Sequence, residues 1–141
     1  MLALGRRLAA ELSAGDLMLL TGPLGAGKTT LVQGVGEALK VRGRVTSPTF
    51  VIARVHPSLA AGPALVHVDA YRLGGLAEVD DLDLDLDGSV TVVEWGAGLA
   101  EELSADRLEI TIGLSGEDDV RTVRIRGVGA RWAGTHRVST A

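Results

Sequence analysis

The chain has 141 residues, of which 46% are apolar and 23% are charged, and its formal net charge is −4. This length and composition are typical of one globular domain rather than of a disordered chain. The absence of cysteine excludes disulfides and thiolate metal sites, and the negative charge argues against broad electrostatic binding of nucleic acid by this chain alone.

The N-terminal segment predicts an amphipathic helix. Residues 2–13 place leucines at helical spacing with arginines elsewhere, and Gly15 ends the pattern. The arginines distinguish this segment from a secretory signal, and no apolar run in the chain approaches the ~20 residues that a membrane helix requires. We therefore expect a cytoplasmic protein without membrane contact.

A buried strand, a glycine-rich turn and a second helix are predicted next. Residues 16–22 (DLMLLTG) form a short, nearly all-apolar run, which is typical of a strand buried on both faces. From Thr29 onward the apolar residues return to helical spacing. The predicted order is therefore strand, glycine-rich loop, helix.

The remainder of the chain is predicted to consist mainly of strands. Residues 74–88 are rich in glycine and acids and predict at most a short helix, and the small, polar residues 127–141 predict a partly disordered tail. The last two strands alternate between apolar and polar residues, which predicts a hairpin with one solvent-exposed face. Strand patterns occupy residues 49–55, 64–70, 89–95, 107–114 and 121–127.

The glycine-rich turn carries a phosphate-binding motif, because residues 22–29 (GPLGAGKT) match G-x-x-x-x-G-K-[ST] without mismatch. Glycines permit positive φ, so successive backbone N–H groups can turn toward a phosphate chain, and the helix N-terminus adds its own N–H groups. Lys28 supplies a point charge for the β- and γ-phosphates, and the Thr29 hydroxyl is a hard oxygen ligand for Mg²⁺. The alternative, a turn that only reverses the chain, is disfavoured by the strand before it and the helix after it. The predicted ATP-binding residues of this loop are Gly22, Pro23, Leu24, Gly25, Ala26, Gly27, Lys28, Thr29 and Thr30.

With this loop, the elements predict an α/β fold. We expect a three-layer, P-loop NTPase-like arrangement whose mostly parallel sheet ends in a C-terminal antiparallel hairpin. Residues 1–126 are predicted to form a single P-loop ATPase domain, and residues 127–141 the tail.

Two acids are candidates for the metal side of the site. Asp69 and Glu94 each follow an apolar strand, and ligand sites in open α/β sheets lie beyond the carboxyl ends of strands. One acid can hold Mg²⁺ while the other orients or activates the attacking water. Spacing alone does not assign these two roles, and a strand-end carboxylate that only caps a turn is the alternative for each.

A calcium-loop pattern competes for Glu94. Residues 83–94 satisfy D-x-[DN]-x-[DN]-G-x₅-E, but residues 89–93 (SVTVV) favour a strand rather than an irregular loop. Glu94 would also be required by two metals in two geometries. We therefore interpret the acidic run as a solvated loop and not as a calcium site.

Four segments together resemble the TsaE family. They are LLTGPLGAGKTTLVQG, TSPTFV, HVDAYRL and VEWG, in this order, within a resemblance that covers roughly residues 4–126. The phosphate loop is common to many families, whereas the other three segments are more specific. The resemblance implies an ATPase that hydrolyses ATP slowly and takes part in making threonylcarbamoyladenosine on tRNA.

The resemblance also implies partners and roles for individual residues. The implied partners are TsaD, a transferase, and TsaB, so tRNA is contacted only indirectly. Lys28 and Thr29 are implied as phosphate and Mg²⁺ ligands, Glu94 as the second metal-side acid, and Asp69 as a residue needed for hydrolysis. The other residues implied by the resemblance are Trp95 beside the nucleotide, Arg121 as a basic nucleotide contact, and Ser47, Pro48 and Thr49 as a nucleotide-sensing switch loop.

Some residues and functions have competing interpretations. A strand histidine such as His67 is more often packed or hydrogen-bonded than catalytic, and Arg72 is as easily a salt-bridge partner as a catalytic group. A small-molecule or nucleoside kinase would use the same loop, but it needs an Arg-bearing lid, which the sequence does not indicate. A GTPase needs the Asn of N-K-x-D, and the chain has no Asn. A nucleotide-sensing adaptor with incidental hydrolysis is the non-enzymatic alternative.

Overall fold

The computed structural model describes residues 1–23, 25–46, 53–70, 84–94, 104–114 and 120–140. Within them, the helices are α1 (Leu2–Ala9), α2 (Lys28–Leu39) and a short 3₁₀ helix (Ala130–Trp132). The strands are β1 (Leu17–Thr21), β2 (Ala53–His56), β3 (Ala64–Asp69), β4 (Ser89–Glu94), β5 (Arg107–Leu114), β6 (Arg121–Val128) and β7 (His136–Thr140). No helix in these ranges is long and apolar enough to cross a membrane.

The strands form one seven-stranded sheet in the order β2-β3-β4-β1-β5-β6-β7. The central strands β3, β4, β1 and β5 are parallel, and β2, β6 and β7 pair antiparallel at the two sides. The predicted α/β fold class and the C-terminal hairpin β5–β6 are confirmed. Antiparallel pairing by β2, and by β7 at the other edge, adds to the predicted arrangement.

The central strands are buried on both faces, as their apolar runs predicted. Along β1, Met18 and Leu20 belong to one core cluster, whereas Leu17 and Leu19 belong to a second cluster on the opposite face. The two α-helices, α1 and α2, pack on the face of the sheet that carries Met18. The described residues therefore define two of the three predicted layers, the sheet and one helical layer.

The two helices cross in close contact through a pair of glycines. A Cβ on Gly5 would clash with the backbone of Leu31, and a Cβ on Gly34 would clash with the backbone of Leu2. Glycine is therefore required at this crossing because of its size, and the close contact fixes α2 against α1. The crossing thereby anchors the helix that begins at the phosphate loop.

The C-terminus differs from the predicted disordered tail. Residues 130–132 form the 3₁₀ helix, Trp132 lies in the core with 5% of its surface exposed, and His136–Thr140 pair with β6. Long-range ion pairs hold this region to the N-terminal part of the chain. Arg131 binds the Asp16 carboxylate with N–O distances of 3.1 and 3.2 Å, and Arg137 forms a two-pronged pair with Glu11. The hydrogen bonds from Arg137 lower the pKa of Glu11.

Replacing Trp132 with alanine is expected to lower the free energy of unfolding by about 3–5 kcal/mol, because the substitution leaves a cavity in the core. Urea unfolding followed by circular dichroism measures this loss. Val138→Ala is the control, since Val138 lies on β7 but is 53% exposed, and its replacement is expected to cost less than about 1 kcal/mol. Equal stability of Trp132→Ala and the wild type would contradict the buried position of this side chain.

Candidate functional site

The phosphate loop leaves β1 and enters α2 through left-handed glycines. Gly25 has φ 78° and Gly27 has φ 103°, a backbone conformation that favours glycine. Gly27 is also the N-cap of α2. Because no side chain caps this end, the first N–H groups of the helix, which point toward the loop, are not occupied by a side-chain cap. At Gly22, a Cβ would lie 2.8 Å from the Ile112 carbonyl oxygen. Gly25 and Gly27 thus have the positive φ that the sequence motif predicted for the loop.

Lys28 begins α2 and is folded back over the loop. Its ammonium group donates hydrogen bonds to the carbonyl oxygens of Gly22 and Pro23 at 2.7 and 3.0 Å, and the residue is only 6% exposed. Burial lowers the pKa of Lys28, and the negative charges of Glu94 and Asp69 oppose this shift.

Asp69 and Glu94 end two neighbouring strands at the same level of the sheet. They are direct partners in the parallel register of β3 and β4, with 6% and 4% of their surfaces exposed. On its other side β4 pairs with β1, where Glu94 lies opposite Leu20, two residues before Gly22. The strand order β3-β4-β1 therefore brings both carboxylates beside the start of the phosphate loop.

His67 contacts Glu94 directly. Its ring Nε2 lies 2.6 Å from Glu94 Oε2, and its side chain is fully buried. Sequence analysis missed this contact. The available signal was the i, i+2 spacing of His67 and Asp69, which puts both side chains on one face of β3, together with the prediction that the next strand ends at Glu94.

Arg121 and Met1 also reach the phosphate loop. The guanidinium of Arg121 lies 3.5 Å from the Gly25 carbonyl oxygen, across the sheet from the two acids. Met1 was missed by sequence analysis: a Cβ on Gly27 would lie 3.1 Å from the Met1 side chain, so this methionine packs against Gly27.

The remaining loop residues lie in the first turn of α2, where Thr29 and Thr30 are half-buried. Ala26 is fully buried beneath the loop, and its N–H donates to the Pro23 carbonyl oxygen at 3.1 Å. Several residues singled out from the sequence lie outside the described residues: Leu24, Ser47, Pro48, Thr49, Arg72 and Trp95.

The described acids of the pattern around β4 (Asp85, Asp87 and Glu94) do not converge on one ion. Asp85 accepts a hydrogen bond from the Gly88 N–H at 3.1 Å, which stabilises a turn ahead of the strand. Glu94 lies at the other end of the six-residue strand, roughly 17–20 Å away at ~3.3 Å per residue. Among the described residues, no group of three or more His, Asp and Glu side chains could hold a metal ion by itself. The geometry therefore agrees with interpreting this run as a solvated loop.

The donor set at the phosphate loop fits Mg²⁺ with a phosphate chain. Mg²⁺ takes oxygen ligands and is usually held by one or two carboxylates together with substrate phosphates and water, so a closed protein cage is not required. Thr29 offers a hydroxyl, Glu94 and Asp69 offer carboxylates, and the loop offers backbone N–H groups for phosphate.

A buried parallel strand, a glycine-rich loop and a helix that begins at a lysine define a P-loop nucleoside triphosphatase fold. A family model described as "Threonylcarbamoyl adenosine biosynthesis protein TsaE" matches residues 1–123. The chain belongs to the TsaE family.

Individual relatives of the chain carry the name of this family. A protein of Streptomyces coelicolor named "tRNA threonylcarbamoyladenosine biosynthesis protein TsaE" is 65% identical over 92% of this chain and 92% of its own length. Proteins of the same name from Mycobacterium tuberculosis and Bacillus subtilis are 50% and 37% identical, over 85% and 92% of this chain and 77% and 81% of their own lengths.

A solved structure shares the fold. The crystal structure of Bacillus subtilis YdiB superposes with a TM-score of 0.72 at 35% identity, covering 92% of this chain and 80% of that one.

Proposed function

We propose that this chain binds ATP with Mg²⁺, hydrolyses the ATP, and serves the synthesis of threonylcarbamoyladenosine on tRNA. The observation that carries this proposal is that Asp69 and Glu94 end adjacent strands beside the phosphate loop over which Lys28 is folded. Relatives that are 65% and 50% identical carry the name of this tRNA modification.

The loop residues supply the binding. Backbone N–H groups of the loop glycines and of the first turn of α2 bind the phosphates, and Lys28 exchanges its bonds to loop carbonyls for phosphate oxygens. Thr29 and Glu94 hold Mg²⁺, which when bound neutralises charge on the phosphate oxygens. Arg121 lies close enough to Gly25 to contact the nucleotide. The same site is also predicted to include Leu24, Trp95 and the switch loop Ser47–Thr49.

The carboxylates supply the chemistry. A water oxygen attacks the γ-phosphorus, the bond from that phosphorus to the β–γ bridging oxygen breaks, and ADP leaves with the bonding electron pair. A carboxylate at the strand ends orients the water and accepts its proton, and we assign this role to Asp69. Glu94, on the strand next to β1, takes the metal side.

The biological role follows from the family resemblance. We propose that hydrolysis acts on a complex of TsaD and TsaB and resets it between rounds, so tRNA is reached only through that complex. A role in tRNA modification implies a cytoplasmic location. Residues 1–126 are proposed to form one ATPase domain, to which the 3₁₀ helix and β7 contribute packing.

Titration calorimetry and a pull-down test this proposal. ATP with Mg²⁺ is expected to give heat of binding to the intact chain, and purified TsaD and TsaB are expected to associate with it in an ATP-dependent manner. The absence of binding heat would contradict nucleotide binding. The chain could bind and hydrolyse ATP yet fail to associate with TsaD and TsaB, both with and without ATP. That result would leave an ATPase but contradict the proposed partners. Stoichiometric phosphorylation of an added acceptor would instead favour a kinase.

A further inference from the structure

We propose that His67 is a positioning residue that fixes the carboxylate of Glu94 for its work at the phosphate loop. This inference rests on the proposed function for its effect on turnover. The contact itself is short, with 2.6 Å between His67 Nε2 and Glu94 Oε2, and both side chains are almost completely buried, with exposed fractions of 0% and 6%. A buried hydrogen bond to a carboxylate restricts its orientation strongly, because no water competes for the same oxygen.

The direction of this hydrogen bond follows from its acceptor. A carboxylate oxygen accepts, so Nε2 carries a hydrogen and donates it to Glu94 Oε2. Nδ1 is buried and has no hydrogen-bond partner in the part of the chain that the structure describes. Among the described residues, the ring is therefore hydrogen-bonded to Glu94 through Nε2 and has no bond through Nδ1.

A packing role alone does not account for an imidazole at this position. An apolar side chain on β3 would fill the space without burying an unsatisfied nitrogen, which is costly. The neighbouring core positions of β3 on both faces are indeed apolar: Leu65, Val66 and Val68. A histidine here provides a hydrogen bond that orients Glu94.

The consequence lies at the metal side of the site. Because His67 occupies one lone pair of Oε2, Glu94 has both lone pairs of Oε1 and one of Oε2 left for Mg²⁺ or water. Residues that orient a metal-binding carboxylate typically contribute 10–100-fold to metal affinity or activity (about one to two orders of magnitude). His67 thus affects Mg²⁺ binding through the orientation of the Glu94 carboxylate and does not itself contact the nucleotide.

Two substitutions at His67 separate positioning from packing. In His67→Gln the amide nitrogen can donate from near the place of Nε2, whereas His67→Leu fills space without a donor. We expect His67→Leu to raise the Mg²⁺ concentration needed for half-maximal ATP turnover by about 10–100-fold, and His67→Gln to recover most of that loss. Binding of fluorescent ATP in the absence of Mg²⁺ is expected to be unchanged in both variants.

His56 offers a matched control. It is also buried, lies on the adjacent strand β2, and its Nδ1 lies 3.4 Å from the Arg42 carbonyl oxygen, away from Glu94. His56→Gln is expected to keep the wild-type Mg²⁺ dependence. Wild-type Mg²⁺ dependence in His67→Leu, or an equal loss in His56→Gln, would overturn the inference.

A readout that is independent of turnover keeps this inference distinct from the proposed function. Nitrogen-15 NMR of the ring is expected to show the His67 hydrogen on Nε2, with its signal changed in Glu94→Gln. A ring that carries its hydrogen on Nδ1 alone, or a signal insensitive to Glu94→Gln, would contradict the inference. A wild-type chain that neither binds nor hydrolyses ATP would contradict the proposed function, while the ring signal would still decide whether His67 positions Glu94.

Discussion

Replacing Lys28 with alanine is expected to lower ATP turnover by about 10²–10³-fold, the cost of removing one preorganised charge from a transition state. Lys28 stands at the first position of α2, and its ammonium group already lies over the loop, 2.7 Å from the Gly22 carbonyl oxygen. Burial lowers its pKa, but Glu94 and Asp69 oppose that shift and favour the charged form. A cation placed in this way is available to phosphate without a large rearrangement. Steady-state hydrolysis with saturating Mg²⁺ and ATP measures the effect.

The control for this substitution is the other lysine of the chain. The sequence has only two lysines, and Lys40 lies exposed at the far end of α2 with a left-handed φ of 56°. Lys40→Asn removes a positive charge while tolerating that backbone conformation, and it is expected to keep wild-type turnover. Circular dichroism of both variants checks that they fold. A Lys28→Ala variant with wild-type turnover would remove this ammonium from the mechanism.

The features that sequence analysis predicted are local in the chain. The phosphate loop is a continuous motif with a fixed backbone form, so a match between an apolar strand and a helical pattern was enough to predict its geometry. The strand ending at Glu94 was predicted from its β-branched residues, and this strand also explains why the calcium-loop pattern has no matching geometry. Asp69 and Glu94 became candidates because each follows a buried strand, and the parallel register then made them neighbours.

The features that sequence analysis missed depend on contacts between distant parts of the chain. Arg131 binds Asp16, 115 positions earlier in the sequence, and this pair helps to hold a region that the local composition described as a tail. Trp132 became interpretable only when its neighbours in the core were known. The contact between His67 and Glu94 required the pairing of β3 with β4, which neither strand reveals alone. Local patterns therefore predicted the chemistry of the site, whereas register and packing determined which side chains support it.

Neutral isosteres of the two acids are expected to separate their roles. Asp69→Asn and Glu94→Gln remove a charge with little change in shape, and each is expected to lower turnover by about 10²–10⁴-fold, the contribution of a positioned acid or base. If Glu94 takes the metal side, Glu94→Gln also raises the Mg²⁺ concentration needed for tight nucleotide binding, whereas Asp69→Asn binds Mg²⁺ and ATP normally and fails only in hydrolysis. Steady-state hydrolysis measures turnover. Binding of fluorescent ATP at increasing Mg²⁺ concentrations measures the Mg²⁺ requirement.

Asp87→Asn is the control for these isosteres, because Asp87 is an exposed acid at the opposite end of β4 and is expected to retain both properties. The expected difference has a geometric origin in the sheet. Glu94 lies on the strand that pairs directly with β1, so it is the acid nearer to the start of the phosphate loop, and Asp69 is one strand further out. The inverse result, with Mg²⁺ dependence altered only in Asp69→Asn, would exchange the two assignments. Wild-type turnover in either variant would show that the carboxylate in question only ends a strand.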